Sequence, residues 1–254
     1  CIRDRVTQNP LRLDSDAHDA PVLLTSEGFS PLFSMVVPPA MTGEKMVRNE
    51  SFWSEKMNTQ VINPSLSIHD DGLLEGGMSS GSRDGEGVPR RQQALVEDGR
   101  LTSMLWSTRD AAQQVAEGRI DGAQSTGSAT SGGHQSPPST GCTELFLTST
   151  QPAQSTDQLL ERMGDGYIVN SVMGAHTANP SSGDFSVTTS SILKVEGGEI
   201  VGALKQAGLS GNLAKALNGP VALGQEVRRQ GSYSSGSMHL PDVLLMDGLR
   251  INPA

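Results

Sequence analysis

The dipeptide Asp98-Gly99 constrains this chain more tightly than any other feature. A two-residue hairpin turn needs positive φ at both central positions, and Asp-Gly is among the pairs that tolerate it. The flanking stretches Arg91 to Val96 and Arg100 to Trp106 therefore read as two antiparallel strands. The same logic recurs downstream. Phe185 to Val195 and Glu199 to Leu204 flank Gly197-Gly198, a second hairpin, and Asp247-Gly248 turns Val243 to Met246 into Leu249 to Ile251.

Other elements fit around these hairpins. Pro21 to Leu24 reads as a short buried strand, and Gly166 to Met173 as a strand rich in β-branched and aromatic residues. Leu145 to Leu147 is a further strand. Glu27 to Val37 reads as a helix ended by Pro38-Pro39, because proline lacks the amide donor and disfavours helix before it. Thr108 to Ala116 reads as a helix capped by Thr108, and Ser155 or Thr156 caps another through Met163, closed by Gly164. Asn212 to Leu217 is a short helix at most. Ile68 to Gly87 and residues 121–141 are dominated by Gly, Ser, Asp, Thr and Pro and read as loops. Many strands and few short helices predict an α+β fold, a mainly antiparallel sheet with a few short helices.

Composition narrows the function classes. Nineteen Lys and Arg stand against 28 Asp and Glu, a net charge of −9, which argues against a nucleic-acid partner. Arg90-Arg91 and Arg228-Arg229 are too short to change that and read as solvated. The longest apolar runs are far shorter than a membrane span, and the N-terminus lacks the apolar stretch of a signal peptide. Two cysteines, Cys1 and Cys142, cannot build a disulfide framework, so a reduced, cytoplasmic protein is expected.

Several kinds of chemistry lack their motif. The histidines are His18, His69, His134, His176 and His239, and no two lie three to five residues apart as a helical zinc pair requires. There is no phosphate-binding loop, no dinucleotide fingerprint and no Gly-x-Ser-x-Gly elbow. His134 and Cys142 lie eight apart, where an imidazole activates a thiol if the two meet; Cys142 also fits a buried structural role at the start of an apolar strand. Asp70, Asp71, Asp84 and Glu86 fit a solvated acidic loop better than a calcium site. Asp184, between Gly183 and Phe185, is turn chemistry or faces a cleft.

A resemblance is carried by several segments in order. These are Ser125-Thr126-Gly127-Ser128-Ala129, Ser182-Gly183-Asp184-Phe185-Ser186, Val195-Glu196-Gly197-Gly198-Glu199-Ile200, Gly211-Asn212-Leu213 and Gly236-Ser237-Met238-His239-Leu240-Pro241. With Asp70 to Pro89 and the Asp98-Gly99 hairpin, they make residues 20–251 resemble the TldD/PmbA family, also called modulator of DNA gyrase. The family has two related subunit types. The TldD type carries a His-Glu-x-x-x-His helix and a Cys near the C-terminus that together hold a metal. The TldE/PmbA type lacks these ligands. Here Phe29 to Pro39 contains no His or Cys, and Gly231 to Ser237 no Cys. The resemblance thus implies a metal-free TldE/PmbA-type subunit, non-catalytic by itself, with the zinc-type metal in a TldD-type partner and unstructured peptides as substrate.

Family members are longer, which implies that residues 1–20 are a linker from a missing N-terminal domain and 21–254 the C-terminal domain. The substrate-binding residues expected on this reading are His176, Ser182, Gly183, Asp184 and Phe185, with Gly132 to Thr140 as a further cavity-lining loop. Two alternatives remain open at this point: a stand-alone hydrolase using dispersed His and Cys, and a non-enzymatic interaction module.

Overall fold

A computed structural model describes residues 17–131, 136–231 and 236–253. His134 and residues 1–16, and with them part of the Gly132 to Thr140 loop and of the linker stretch, lie outside the described residues. The elements run β1 (His18–Asp19), β2 (Val22–Leu24), α1 (Ser26–Ala40), α2 (Gly43–Val47), β3 (Leu66–Asp71), β4 (Gln92–Glu97), β5 (Arg100–Leu101), α3 (Thr108–Ala116), β6 (Ala129–Thr130) and β7 (Ser139–Thr140). They continue as β8 (Glu144–Ser149), α4 (Thr156–Met163), β9 (Gly166–Met173), a 3-10 turn at Ala175–Thr177, β10 (Asp184–Glu196), β11 (Glu199–Leu204), β12 (Ala207–Asn212), α5 (Leu213–Asn218), β13 (Val221–Gly231), β14 (Ser237–Leu245) and β15 (Leu249–Pro253).

Thirteen strands join one mixed sheet along β1-β15-β12-β10-β9-β2-β14-β8-β3-β4-β5, with β11 added to β10 and β13 to β14. Pairing is antiparallel except for β14 with β8 and β2 with β9. This is the expected α+β class. The sheet also reaches into the stretch read as linker, because His18 and Asp19 pair with Ile251 and Arg250.

The sheet is covered on both faces. On one, α1 presents Phe29, Leu32, Phe33, Val36, Val37 and Ala40, all buried and spaced three or four apart as a single apolar stripe. On the other, Leu159, Leu160 and Met163 of α4 cover Leu23, Ile168, Leu193 and Leu244. Double coverage explains why Val22-Leu23-Leu24 is continuously apolar: Val22 and Leu24 join the larger core and Leu23 the smaller.

Several local expectations hold. Asp98 and Gly99 both have positive φ, 47° and 76°, and join β4 to β5. Helix α4 has a reciprocal capping box between Ser155 and Gln158 and ends at Gly164. Others are corrected. Helix α1 does not stop at Pro38-Pro39 but contains Pro31, Pro38 and Pro39. Its buried stripe outweighs the lost bonds, and the Ser51 and Thr42 hydroxyls donate to the Ala40 and Pro39 carbonyls at 2.8 and 3.0 Å. The cap of α3 is Ser107 rather than Thr108, its hydroxyl accepting from the Asp110 amide. The second strand of the first hairpin ends at Leu101, not Trp106. The 121–141 stretch contains the small β6–β7 ribbon.

The stretch from Ile68 to Gly87 is not all loop, since Leu66–Asp71 forms β3 between β4 and β8. It escaped pattern reading because Asp70 faces inward, where its carboxylate accepts the Thr143 and Glu144 amides at 2.7 and 2.9 Å. Nor is this acidic stretch solvated throughout. Asp84 is buried and accepts from the Glu86, Val88 and Ala129 amides, while Glu86 accepts both the Thr108 and Arg109 amides at the start of α3. These carboxylates satisfy backbone donors that would otherwise be orphaned.

Candidate functional site

Two neighbourhoods concentrate polar chemistry. The first is the connection from β9 to β10. Gly174, at φ 88°, swings the chain into the Ala175–Thr177 turn, which carries His176 onto the surface. His176 lines a 300 Å³ cavity with Pro31 and Met35 of α1 and Val172 and Met173 of β9. With Ala175, five apolar side chains and one imidazole make a pocket suited to an apolar group with one polar contact.

The connection then closes on itself. The Ser182 hydroxyl donates to Asp184 Oδ2 at 2.7 Å, and Asn212 Nδ2 donates to Asp184 Oδ1 and to the Ser182 carbonyl, each at 2.8 Å. These bonds, the serine's first, hold the Asp184 carboxyl below its ordinary range. Gly183 supplies the positive φ, 83°, that the turn requires. Phe185 points into the main core and is 5% exposed. Of the predicted site residues, the structure thus puts His176 at a cavity, half-buried Ser182, buried Gly183 and exposed Asp184 in a self-satisfied turn, and Phe185 in the interior.

The second neighbourhood was not foreseen. Strands β3, β8 and β14 place His69, Phe146 and His239 side by side. The three rings stack, with centroids 4.8 Å apart at 2° and 4.1 Å apart at 7°. Glu144, two residues before Phe146 on the same face, is fully buried. Its Oε2 meets His239 Nε2 at 2.8 Å and its Oε1 accepts the Ser79 amide at 2.8 Å. Behind it, burial pushes the Asp70 carboxyl up to about 6 against the pull of the Thr143 and Glu144 amides. Burial likewise lowers His69. Alternation along β8 would have put Glu144 and Phe146 on one face. But the stack depends on pairings across 77 and 93 residues, which no local pattern announces.

Among the described residues no three His, Cys, Asp or Glu side chains gather as metal ligands. Cys142 is buried just before β8. Helix α1 has a single acidic residue, Glu27, with Ser26 just before it and Pro31 four residues after it. A His-Glu-x-x-x-His pattern set on that glutamate would find serine and proline where it needs imidazoles. No helix among the described residues is long and apolar enough to cross a membrane.

Comparison with known proteins agrees with this architecture. Residues 17–251 match the PmbA/TldA metallopeptidase C-terminal domain. The chain is 27% identical over 197 residues to a metalloprotease of Methanocaldococcus jannaschii, covering 77% of this chain and 41% of that protein. It is 26% identical over 253 residues to a metalloprotease PmbA homolog of Haemophilus influenzae, covering 99% of this chain and 50% of the relative. The chain therefore spans about half the length of the curated relatives it matches. Among solved structures, TldE from Thermococcus kodakarensis superposes with a TM-score of 0.83 at 22% identity, over 99% of this chain and 53% of that one. A putative modulator of DNA gyrase from Thermotoga maritima superposes with 0.79 at 28% identity, over 95% and 51%. By the match of nearly its whole length to that domain, the chain belongs to the PmbA/TldD metallopeptidase family, as its C-terminal domain.

Proposed function

We propose that this chain is the TldE/PmbA-type half of a two-subunit, cytoplasmic metallopeptidase: it pairs with a TldD-type chain, binds no catalytic metal, and helps enclose unstructured peptides. The observation that carries the reading is helix α1, in which neither a histidine nor a cysteine is available to a metal and Glu27 stands between Ser26 and Gly28. Gly231 to Ser237 adds no cysteine. With the zinc-type metal in the partner, this chain's part is to bind and orient the peptide. His176, with its cavity against Pro31 and Met35, takes a side chain of the substrate. The turn at Ser182, Gly183 and Asp184 offers hydroxyl and carboxylate at the surface, anchored from the core by Phe185.

The test is cleavage of an unstructured peptide by the full-length protein, alone and mixed with a TldD-type homologue, each with and without chelator. Activity confined to the mixture and lost with chelator is expected. Cleavage by this chain alone would overturn the reading and return attention to the dispersed histidines and Cys142.

A further inference from the structure

Strand β13 has one side paired to β14 in two stretches, Val221 to Leu223 opposite Leu245 to Val243 and Val227 to Gly231 opposite Pro241 to Ser237, with a register break between them. Its other side is closed only near the start, where Gln154 donates to the Leu223 carbonyl and accepts from the Gln225 amide. From Glu226 to Gly231 no strand lies on that side among the described residues. Glu226 to Arg229 are all exposed, Val227 at 56%. An open edge of this length is a template for one more strand.

The side chains say what that strand carries. Arg228 is already paired, with Glu226 at 3.0 Å and Glu27 at 3.9 Å. Arg229 is not: its guanidinium donates to the Gly76 carbonyl at 3.2 Å and meets no carboxylate among the described residues. Alternation sets Val227 and Arg229 on one face, where Arg229 is the cross-strand neighbour of His239. A second copy of this chain is a poor occupant. Antiparallel pairing about the centre of the open edge would set Arg228 opposite Arg229, and directly opposed like charges destabilise a sheet.

We propose that the Glu226–Gly231 edge of β13 takes up an extended segment of the unstructured peptide substrate, with an acidic side chain opposite Arg229 and an apolar one beside Val227. The proposal rests on the peptide-enclosing role given above. It adds a preference: acidic residues alternating with apolar ones on one face of the bound segment. Main-chain hydrogen bonds give the binding and Arg229 the selectivity.

The test titrates the full-length protein with two fluorescent unstructured peptides, one carrying acidic residues at every fourth position with apolar ones midway between them, and one with lysines in place of the acidic residues. The acidic peptide is expected to bind more tightly, and Arg229→Glu to change the ratio by about tenfold toward the basic one. Successive amides of a strand point to opposite sides. So of Val227→Pro and Arg228→Pro, one abolishes binding without loss of thermal stability and the other breaks the β14 ladder. Equal binding of the two peptides, or an unchanged ratio in Arg229→Glu, overturns the proposal. So does a dimer that only one of the proline variants disrupts, which would assign the edge to a second copy. Cleavage in the mixture with a TldD-type homologue separates the two readings. If wild type and Arg229→Glu cleave the acidic peptide equally, the edge is wrong and the pairing stands. If nothing is cleaved while the binding preference holds, the pairing fails and the edge stands.

Discussion

Asp70 and Asp184 are the same residue type in opposite circumstances. Asp184 sits in an exposed turn, where the Ser182 hydroxyl and Asn212 amide hold its carboxyl below the ordinary range. Asp70 is 1% exposed and accepts two backbone amides, yet its carboxyl is pushed up to about 6. Hydrogen bonds favour the charged form at both positions, so the difference is burial. Where water is excluded, two amides do not replace hydration; where it is not, one hydroxyl and one amide suffice. The unforeseen neighbourhood holds a second buried carboxylate, Glu144, and the predicted turn at Ser182–Asp184 an exposed one.

The sharpest way to break this comparison is at Glu144. Its side chain is fully buried, holding His239 and the Ser79 amide. Glu144→Ala leaves both without their acceptor and is expected to destabilise the fold by about 3 kcal/mol, read by urea unfolding. A loss no greater than that of an exposed carboxylate would show that the buried pair contributes nothing.

A comparable effect follows from pH. The folded-state pKa of Asp70 lies above its unfolded value of 3.8, so the folded protein holds this proton more tightly. The stability it contributes is full below the unfolded value and is lost as the pH rises through about 6. The difference is on the order of 3 kcal/mol. His69, lowered by burial, has the opposite sign, so the informative comparison is wild type against Asp70→Asn. The variant is expected to flatten the change in unfolding free energy between pH 4 and 6; an unchanged slope would place the proton elsewhere.

The smallest effect is expected at the turn. Asp184→Ala removes bonds that water screens and replaces, with a cost below about 1 kcal/mol. Because its pKa is lowered, whatever stability Asp184 contributes is present above the unfolded value and lost as the pH falls, the reverse of Asp70. Thermal melting at neutral pH checks the size. A loss as large as that at Glu144 would mean that the turn is a structural clasp and not a surface device.

Legibility in the sequence followed the range of the interactions. The capping box of α4 and the positive-φ turn at Asp98-Gly99 are completed within a few residues and were read correctly. Strand β9 was read to its ends because Tyr, Ile and Val fill it. By contrast, β12 contains Gly208 and Gly211 and was not read as a strand, and of β14 only the part from Val243, beyond Pro241, was read as one. Both are strands because neighbours supply what their sequences lack: β12 lies between β10 and β15, and β14 between β13 on one side and β2 and β8 on the other. Around the candidate site, the turn chemistry of Gly183-Asp184 was legible. That Phe185 is a core residue was not.

By itself, then, the sequence determined the hairpins at Asp98-Gly99 and Gly197-Gly198, the capping box of α4 and the α+β class, because each is decided by side chains adjacent along the chain; at Asp247-Gly248 the chain turns, but β14 and β15 do not pair. Only the tertiary structure decided that a helix with three prolines survives, that acidic residues of a Gly-rich stretch are buried backbone acceptors, and that His69, Phe146 and His239 form one stack. The physical reason is common to all three. Burial against distant strands changes the free energy of a local choice by more than the choice itself is worth, and only the assembled sheet brings those strands together.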